Sequence, residues 1–188
     1  MGTINLVSPV DGTMATAAQI GNAYVILQTL LNGNLDNANI SASAAIGQSK
    51  VAFDAWQTYV PVWTSSGTAP ALNNGTVTGK YVQIGKTVVF NFTWAAGTTT
   101  TFGTGNYSFS LPVTAQNPGV YPIGQCLAND NSGAVYLAAP VLLNDATHVS
   151  IQYPVTWPTG AVTSVAQTIP WTWANLDYIR CSGVYEAA

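Results

Sequence analysis

The residues from Lys80 to Pro112 constrain the fold more than any other stretch of the chain. Ile84 to Thr87 predicts a tight hairpin, because Gly85 in the first central position suits a type II′ turn. After the hairpin, large apolar side chains alternate with polar ones, which is the pattern of a strand with one buried face: Val88, Phe90, Phe92 and Trp94 against Thr87, Asn91 and Thr93. The alternation resumes at Tyr107, Phe109 and Leu111. This stretch therefore predicts a sheet that is apolar on one face, and it contains no catalytic group.

Short alternating segments continue through the chain beyond Trp56, separated by turns rich in Gly, Asn and Pro. One such turn, Asp130 to Gly133, lacks the later acidic ligands of a calcium loop, so a hairpin turn is expected there. Eight short strands and no second helix predict a mainly β protein, an antiparallel β-sandwich of the jelly-roll kind. The predicted strands are Thr58–Thr64, Thr76–Ile84, Thr87–Ala95, Tyr107–Pro112, Tyr121–Ala128, Ala134–Leu143, Thr147–Tyr153 and Asp177–Tyr185.

The N-terminal part of the chain has a helical period instead. Thr13 or Thr16 can cap the start of a helix, and Gly33 suits its end. One interpretation is an amphipathic helix packed on its own domain. The other, which we favour because little nearby sequence can cover the seam, is a parallel bundle of several copies of the chain. The apolar residues that recur every three or four positions along this seam are Ala17, Ile20, Tyr24, Leu27 and Leu31.

Residues 34–50 are small and polar, with single aliphatic residues such as Ile40 and Ile46 five or six positions apart. A single chain could bury little with this spacing, whereas several chains wound together could place one aliphatic residue per layer on a shared axis. A short stalk is therefore predicted, with a flexible linker as the alternative. We divide the chain into an N-terminal anchoring and trimerisation segment of helix and stalk, residues 1–54, and a C-terminal β-sandwich domain, residues 55–188.

Charged residues make up only 6% of the chain, against roughly 25% in an average soluble domain. The four basic residues are scattered, which argues against nucleic acid as a partner. The longest apolar run, Tyr136 to Leu143, contains Pro140 and is too short to cross a membrane. A surface this poor in charge favours a permanent oligomer. The N-terminus lacks the basic region of a signal peptide, so synthesis and folding in a cytoplasm are expected.

Groups able to perform chemistry are few. No nucleophile elbow, zinc-protease motif or phosphate loop occurs, His148 falls on a polar strand face, and the acids lie mostly in turns. We therefore expect no enzyme activity, no catalytic residues, no cofactor and no metal site. Cys126 and Cys181 are too few for a zinc site; either they pair across neighbouring strands or they are two small buried side chains.

Aromatic residues crowd the last third of the chain, where Trp157, Trp171 and Trp173 lie among prolines. An exposed Trp can stack on a sugar ring, so these three residues are candidates for a glycan-binding platform. Core or interface packing is the more common role of such large side chains. The aromatic cluster therefore leaves a carbohydrate-binding module as the alternative to an assembly protein.

Two stretches resemble proteins of tailed bacteriophages. SPVDGTMATAAQIGNAYVILQTLLNGNLDNANIS, followed by SAAIGQSK, resembles the N-terminal attachment and stalk segments of phage fibre and spike proteins. The stretch from Tyr81 to Val88, with Trp94 and with Thr101 to Pro112, is similar to the β-domains that recur in minor tail and fibre proteins of siphophages. These motifs are structural, and they match no catalytic residues of any family.

The resemblance implies a homotrimeric appendage at the virion surface. Its N-terminus would dock on capsid or tail proteins, and its sandwich would face outward, with weak adhesion to a host-surface glycan as a further expectation. Such families include head fibres, capsid decoration proteins and tail-tip adhesins. The shaft of this chain is very short, which favours a compact spike or a head-decoration protein. The alternative is a receptor-binding adhesin that recognises carbohydrate through its C-terminal Trp and Tyr residues.

Overall fold

The computed structural model describes residues 17–31, 43–45, 54–116, 119–154 and 162–188. The chain divides into two compact units, residues 1–52 and residues 53–188. In the first unit a single helix, α1, covers Ala17–Leu31 and confirms the helix predicted from the apolar seam. Its 15 residues run from the first seam position to the last.

The second unit is built from strands. The bounds of two long strands, β3 and β4, are those predicted from the alternation. The ten strands are β1 (Gln57–Tyr59), β2 (Trp63–Ser65), β3 (Thr76–Ile84), β4 (Thr87–Ala95), β5 (Tyr107–Ser110), β6 (Tyr121–Asp130), β7 (Val135–Leu143), β8 (His148–Pro154), β9 (Val162–Ser164) and β10 (Tyr178–Glu186).

All strand pairs are antiparallel, in the order β1-β3-β4-β10-β6-β7-β8-β5-β2, with β9 added beside β8. The expected mainly β, antiparallel class is confirmed. The sheet curls into a half-barrel, so strands far apart in its order face each other: Phe92 on β4 lies 5.0 Å from Phe109 on β5 between ring centroids. The two facing layers of the expected sandwich are thus opposite walls of one continuous sheet.

The predicted strand Thr58–Thr64 is two strands, and this prediction was wrong in an informative way. Pro61 interrupts it, because proline cannot donate a hydrogen bond to a neighbouring strand. As a result β1 and β2 lie at opposite ends of the strand order, with only residues 60–62 between them. The short strand β9 was also not predicted. The other strands begin and end within two residues of the predicted limits.

The alternation along β4 is realised as a buried and a polar face. Val88, Phe90, Phe92 and Trp94 are buried, whereas the polar residues between them are exposed or half-exposed. The β3–β4 hairpin has Gly85 at a φ of 60°, as the type II′ turn requires. The polar face is called the outer face below, and the face that lines the core is called the inner face.

The core is rich in aromatic rings that meet edge to face. Trp63 lies 4.9 Å from Trp94 and 5.1 Å from Tyr107 between ring centroids. Where β6 and β10 pair, two glycines lie opposite each other in register, Gly124 and Gly183, and the two backbones approach closely there. A Cβ on Gly183 would lie 2.7 Å from Phe90, so the ring occupies the space that a side chain would fill.

Candidate functional site

The helix seam is the first site predicted from the sequence. Ile20 and Tyr24 are 61% and 65% exposed, and Ala17 is also exposed. Leu27 and Leu31 belong to the same helix, while Ile40 and Ile46 lie outside the described residues. Among the described residues, nothing packs over Ile20 and Tyr24, so the helix exposes large apolar side chains one turn apart.

The helix has little means of stabilising itself. It has no acidic residue in its first turn and no basic residue in its last, and its sequence AAQIGNAYVILQTLL contains no charge at all. Favourable interactions with the helix dipole and ion pairs one turn apart are therefore missing. An isolated helix of 15 residues is marginal in water even with good formers, so most of its stability must come from packing.

Of the three candidate tryptophans for a glycan platform, the structure describes Trp171 and Trp173. Trp173 is 3% exposed, its ring packs 5.6 Å from Trp94, and its Nε1 donates to the carbonyl of Ala166. Both faces of a ring buried in this way are unavailable to a ligand, which corrects the expectation for Trp173. Trp171 is half-buried beside it, with ring centroids 5.2 Å apart, and Trp157 lies outside the described residues.

The only histidine takes part in a turn. Asp145 Oδ1 accepts hydrogen bonds from the backbone N–H groups of Thr147 and His148, and it lies 3.2 Å from His148 Nδ1. Burial opposes ionisation of Asp145, but the hydrogen bonds from Thr147 and His148 outweigh it and lower the pKa of this carboxyl. These hydrogen bonds to Oδ1 close the β7–β8 hairpin.

Two other acids, Asp130 and Asp177, also accept hydrogen bonds from backbone N–H groups. Asp130 accepts from Ser132 and Gly133, and the bond from the Ser132 hydroxyl is the main reason why the pKa of Asp130 is lowered. Asp177 is fully buried and accepts from the N–H groups of Asn131 and Ala174. Within the described parts of the chain, no three His, Cys, Asp or Glu side chains lie together as a metal site requires.

Cys126 and Cys181 face each other in register on β6 and β10. Both are free thiols and both are buried, which confirms the prediction of two small buried side chains. Burial, together with the neighbouring Cys126, raises the pKa of the Cys181 thiol well above its ordinary value. The Cys181 thiol is therefore an uncharged core group at neutral pH.

The outer face of the sheet is a broad polar surface that carries two of the four basic residues, Lys80 and Arg180. Rows of outward side chains cross β3, β4, β10, β6 and β7 in register. Within these rows Arg180 lies over the ring of Tyr178, 4.5 Å from its centroid. Two successive rows consist of Thr78, Thr93, Arg180, Leu127 and Ala138, and of Lys80, Asn91, Ser182, Gln125 and Pro140.

A polar depression of about 230 Å³ opens where β2, β5, β8 and β9 meet. Sequence reasoning missed it, because its members come from separate stretches and none forms a motif. The one available signal was the density of Ser and Asn in strands and turns. We call this depression the serine fork; its lining residues are Ser65, Ser66, Asn106, Tyr107, Ser108, Asn144, Ser150 and Ser164.

No protein-family model, curated protein or solved structure matches the chain. The resemblance to tailed-phage proteins therefore stays a prediction from the sequence. In the part of the chain that the structure describes, no helix is long and apolar enough to cross a membrane.

Proposed function

We propose that the protein is a short homotrimeric spike or fibre on the surface of a tailed-phage virion. Its N-terminal segment docks on head or tail proteins, and its curled sheet faces outward, where weak adhesion to the host surface is a secondary role. The observation that carries the proposal is the uncovered helix seam, where Ile20 and Tyr24 are mostly exposed in the single chain. A parallel bundle of three helices would bury both residues on a common axis.

Two further properties support an assembly role. A chain with 6% charged residues gains little solubility from ion hydration, and burying surface between subunits removes that difficulty. In the two outer rows, five of the ten side chains are uncharged polar groups, and two, Lys80 and Arg180, are charged. Hydroxyl and amide groups enter subunit interfaces at lower desolvation cost than charges.

The solution mass of the full chain tests the trimer directly. We expect three times the subunit mass of 19.6 kDa, independent of protein concentration. Ile20→Asp places a charge in the seam and should convert the protein into monomers. Asn22→Asp is the matched control, because Asn22 is exposed on the same helix away from the seam, and this variant should stay trimeric. A wild-type monomer at every concentration would contradict the proposal.

The location on a virion is tested by particle assembly from the genome that encodes the protein. The full chain should be recovered with purified particles at a fixed copy number, and removing residues 1–50 should abolish its recovery while the sheet still folds. Undiminished attachment of the shortened chain would refute the proposed docking role of the N-terminal segment. Recovery of neither form with particles would refute the virion location.

The carbohydrate-binding alternative through the C-terminal tryptophans gains no support from the described residues, because Trp173 belongs to the core.

A further inference from the structure

Residues 59–63 form an unbroken apolar run, YVPVW, at the start of the sheet domain, residues 55–188. Alternate members of the run belong to the core: Pro61 and Trp63 are buried, and Tyr59 packs against the core residues. Val60 and Val62 lie between them and are 69% and 59% exposed. The run therefore has one covered apolar face and one uncovered apolar face.

A segment with two apolar faces is unusual at the edge of a sheet. Strands with one solvated face alternate apolar and polar residues, whereas a continuous apolar run is typical of a strand that is covered on both faces. Trp56 extends the uncovered side, because it is 50% exposed and an even number of residues separates it from Val60 along an extended chain. We call Trp56, Val60 and Val62 the entry patch.

A groove of about 330 Å³ opens beside Val60. This volume is at the lower end of the range of about 300–1,000 Å³ that holds small ligands, so the groove can admit a whole side chain. Lys80 is the one charged residue among those that line it, which suits an apolar or uncharged occupant. The lining includes Thr58, Val60, Thr78, Lys80, Asn91 and Thr93.

The position of the entry patch in the sequence indicates what covers it. The predicted stalk ends at residue 50, and Trp56 follows after a few residues. Because each residue spans at most about 3.6 Å, copies that are joined through their N-terminal segments enter their sheet domains close together. A second copy of the chain is therefore the molecule nearest to the patch.

We propose that the entry patch is the contact between the sheet domains of neighbouring copies, with Trp56 and Val62 of one copy packed on Val60 and the groove of the next. This inference rests on the proposed trimer. Projecting side chains on one copy and a groove on the next make a heterologous contact, the kind that closes into a ring when three copies are related by rotation.

The size of the patch defines its part in the assembly. Three side chains and one groove are fewer than the roughly 20–30 residues that each partner contributes to a stable interface. The helix seam must therefore supply most of the association. The entry patch determines how the sheet domains are arranged around one another once the copies are joined.

Thiol labelling of the full-length protein measures whether the patch is covered. Val62→Cys introduces a thiol in the patch, and Val135→Cys is the matched control, because Val135 is 47% exposed on β7. The two native thiols are buried, and peptide mapping separates their labelling from that of the new one. In the trimer, maleimide should modify the Val62→Cys protein at least about tenfold more slowly than the Val135→Cys protein, since a covered thiol reacts only when the contact opens.

Adding Ile20→Asp to each variant provides the monomeric reference, in which the two new thiols should react at similar rates. Similar rates in a protein of trimer mass would overturn the proposed contact and leave the trimer standing. Slow labelling of Val62→Cys in the monomer too would show that the chain covers its own patch, which would also overturn the contact. A wild-type protein of monomer mass would refute both proposals. Circular dichroism checks folding, and Val60→Cys takes the place of Val62→Cys if the latter does not fold.

Discussion

Along β4 the side chains of neighbouring residues enter two different environments. The inner face carries aromatic rings whose centroids lie about 5 to 6 Å from other rings of the core: Phe92 meets Phe109 on the opposite wall, and Phe90 meets Tyr185 on the neighbouring strand. The outer face carries Thr and Asn side chains, which on β4 make no side-chain hydrogen bond that crosses the described sheet. One face is therefore fixed by many mutual contacts, and the other is held in place only by the backbone beneath it.

This difference separates the determinants of folding from those of association. Inner side chains cannot change size without disturbing several neighbours, because the core is closely packed. Outer side chains away from the serine fork can change with little effect on the fold. The proposed assembly role places recognition in the helix seam, outside the core, where sequence changes do not compete with the packing of the sheet.

The strongest test of this comparison uses adjacent residues on opposite faces. Phe92→Ala should lower the free energy of unfolding by about 3–5 kcal/mol, because it removes a buried ring and leaves a cavity. Asn91→Ala, one residue away on the outer face, should change it by less than about 0.5 kcal/mol. Urea denaturation of both variants gives the two values. Equal losses would show that the outer face is also tightly packed.

High pH should destabilise the fold through the inner face. Burial raises the pKa of Tyr185 to about 12 from an ordinary value of 10.0. Between these values the unfolded state loses a proton that the folded state keeps, so stability falls as the pH rises above about 10. Burial also raises the pKa values of Tyr59, Tyr107 and Tyr153, which steepens the fall.

Replacing one of these tyrosines isolates its contribution to the loss of stability at high pH. In Tyr185→Phe the loss of stability above pH 10 should be shallower than in the wild type, by up to about 1.4 kcal/mol per pH unit. Urea titrations at several pH values measure the slope, and tyrosinate absorbance in the ultraviolet follows ionisation in the folded state. An unchanged slope would mean that Tyr185 ionises as easily in the folded protein as in the unfolded one.

The glycine pair between β6 and β10 gives a smaller effect. Gly183→Ala should cost about 1–3 kcal/mol, because its Cβ would lie 2.7 Å from the Phe90 ring and 2.7 Å from the Ile123 carbonyl. Combining it with Phe90→Leu should recover part of the loss, since the smaller side chain vacates that space. Thermal unfolding of the two variants measures the recovery, and strict additivity would place the strain in the backbone instead.

The smallest expected change lies at a hairpin tip on neither face. Gly85 has a φ of 60°, and a Cβ there would meet nothing within 4 Å. Gly85→Ala should therefore cost only the backbone term of about 1 kcal/mol, and Gly85→Asn should cost less because Asn tolerates this conformation. Urea denaturation compares the three proteins. A loss as large as that of Gly183→Ala would point to a contact at the hairpin tip.

The sequence predicted the parts of the fold that depend on local pattern. The long alternation in Thr76–Ile84 and Thr87–Ala95 fixed both strands, and Gly85 fixed the turn between them. Thr58–Thr64 is rich in aromatic and β-branched residues, as a strand is, and Pro61 was the signal that the chain crosses from one end of the sheet to the other. Strand β9 has three residues, too few for any period to show.

The candidate sites were harder to predict, because they depend on which distant residues meet. The sequence around Trp173 could not show that Trp94 on β4 would pack against its ring. The serine fork is lined by Ser108, Ser150 and Ser164 from three separate strands, β5, β8 and β9, and no local sequence pattern predicts that these strands meet. The helix seam, in contrast, is a local repeat along one element, and the sequence alone predicted both its position and its length.

The division of one predicted strand by Pro61 has a consequence for crowded assemblies. In the described sheet the terminal strands are β1 and β2, each only three residues long. Unpaired strand edges act as templates on which other chains add, and short edges beside a proline offer few such positions. β1 pairs with Gly79, Lys80 and Tyr81 in the middle of the nine-residue strand β3. A second copy therefore meets an edge that is interrupted at its centre, which disfavours continuous pairing from sheet to sheet.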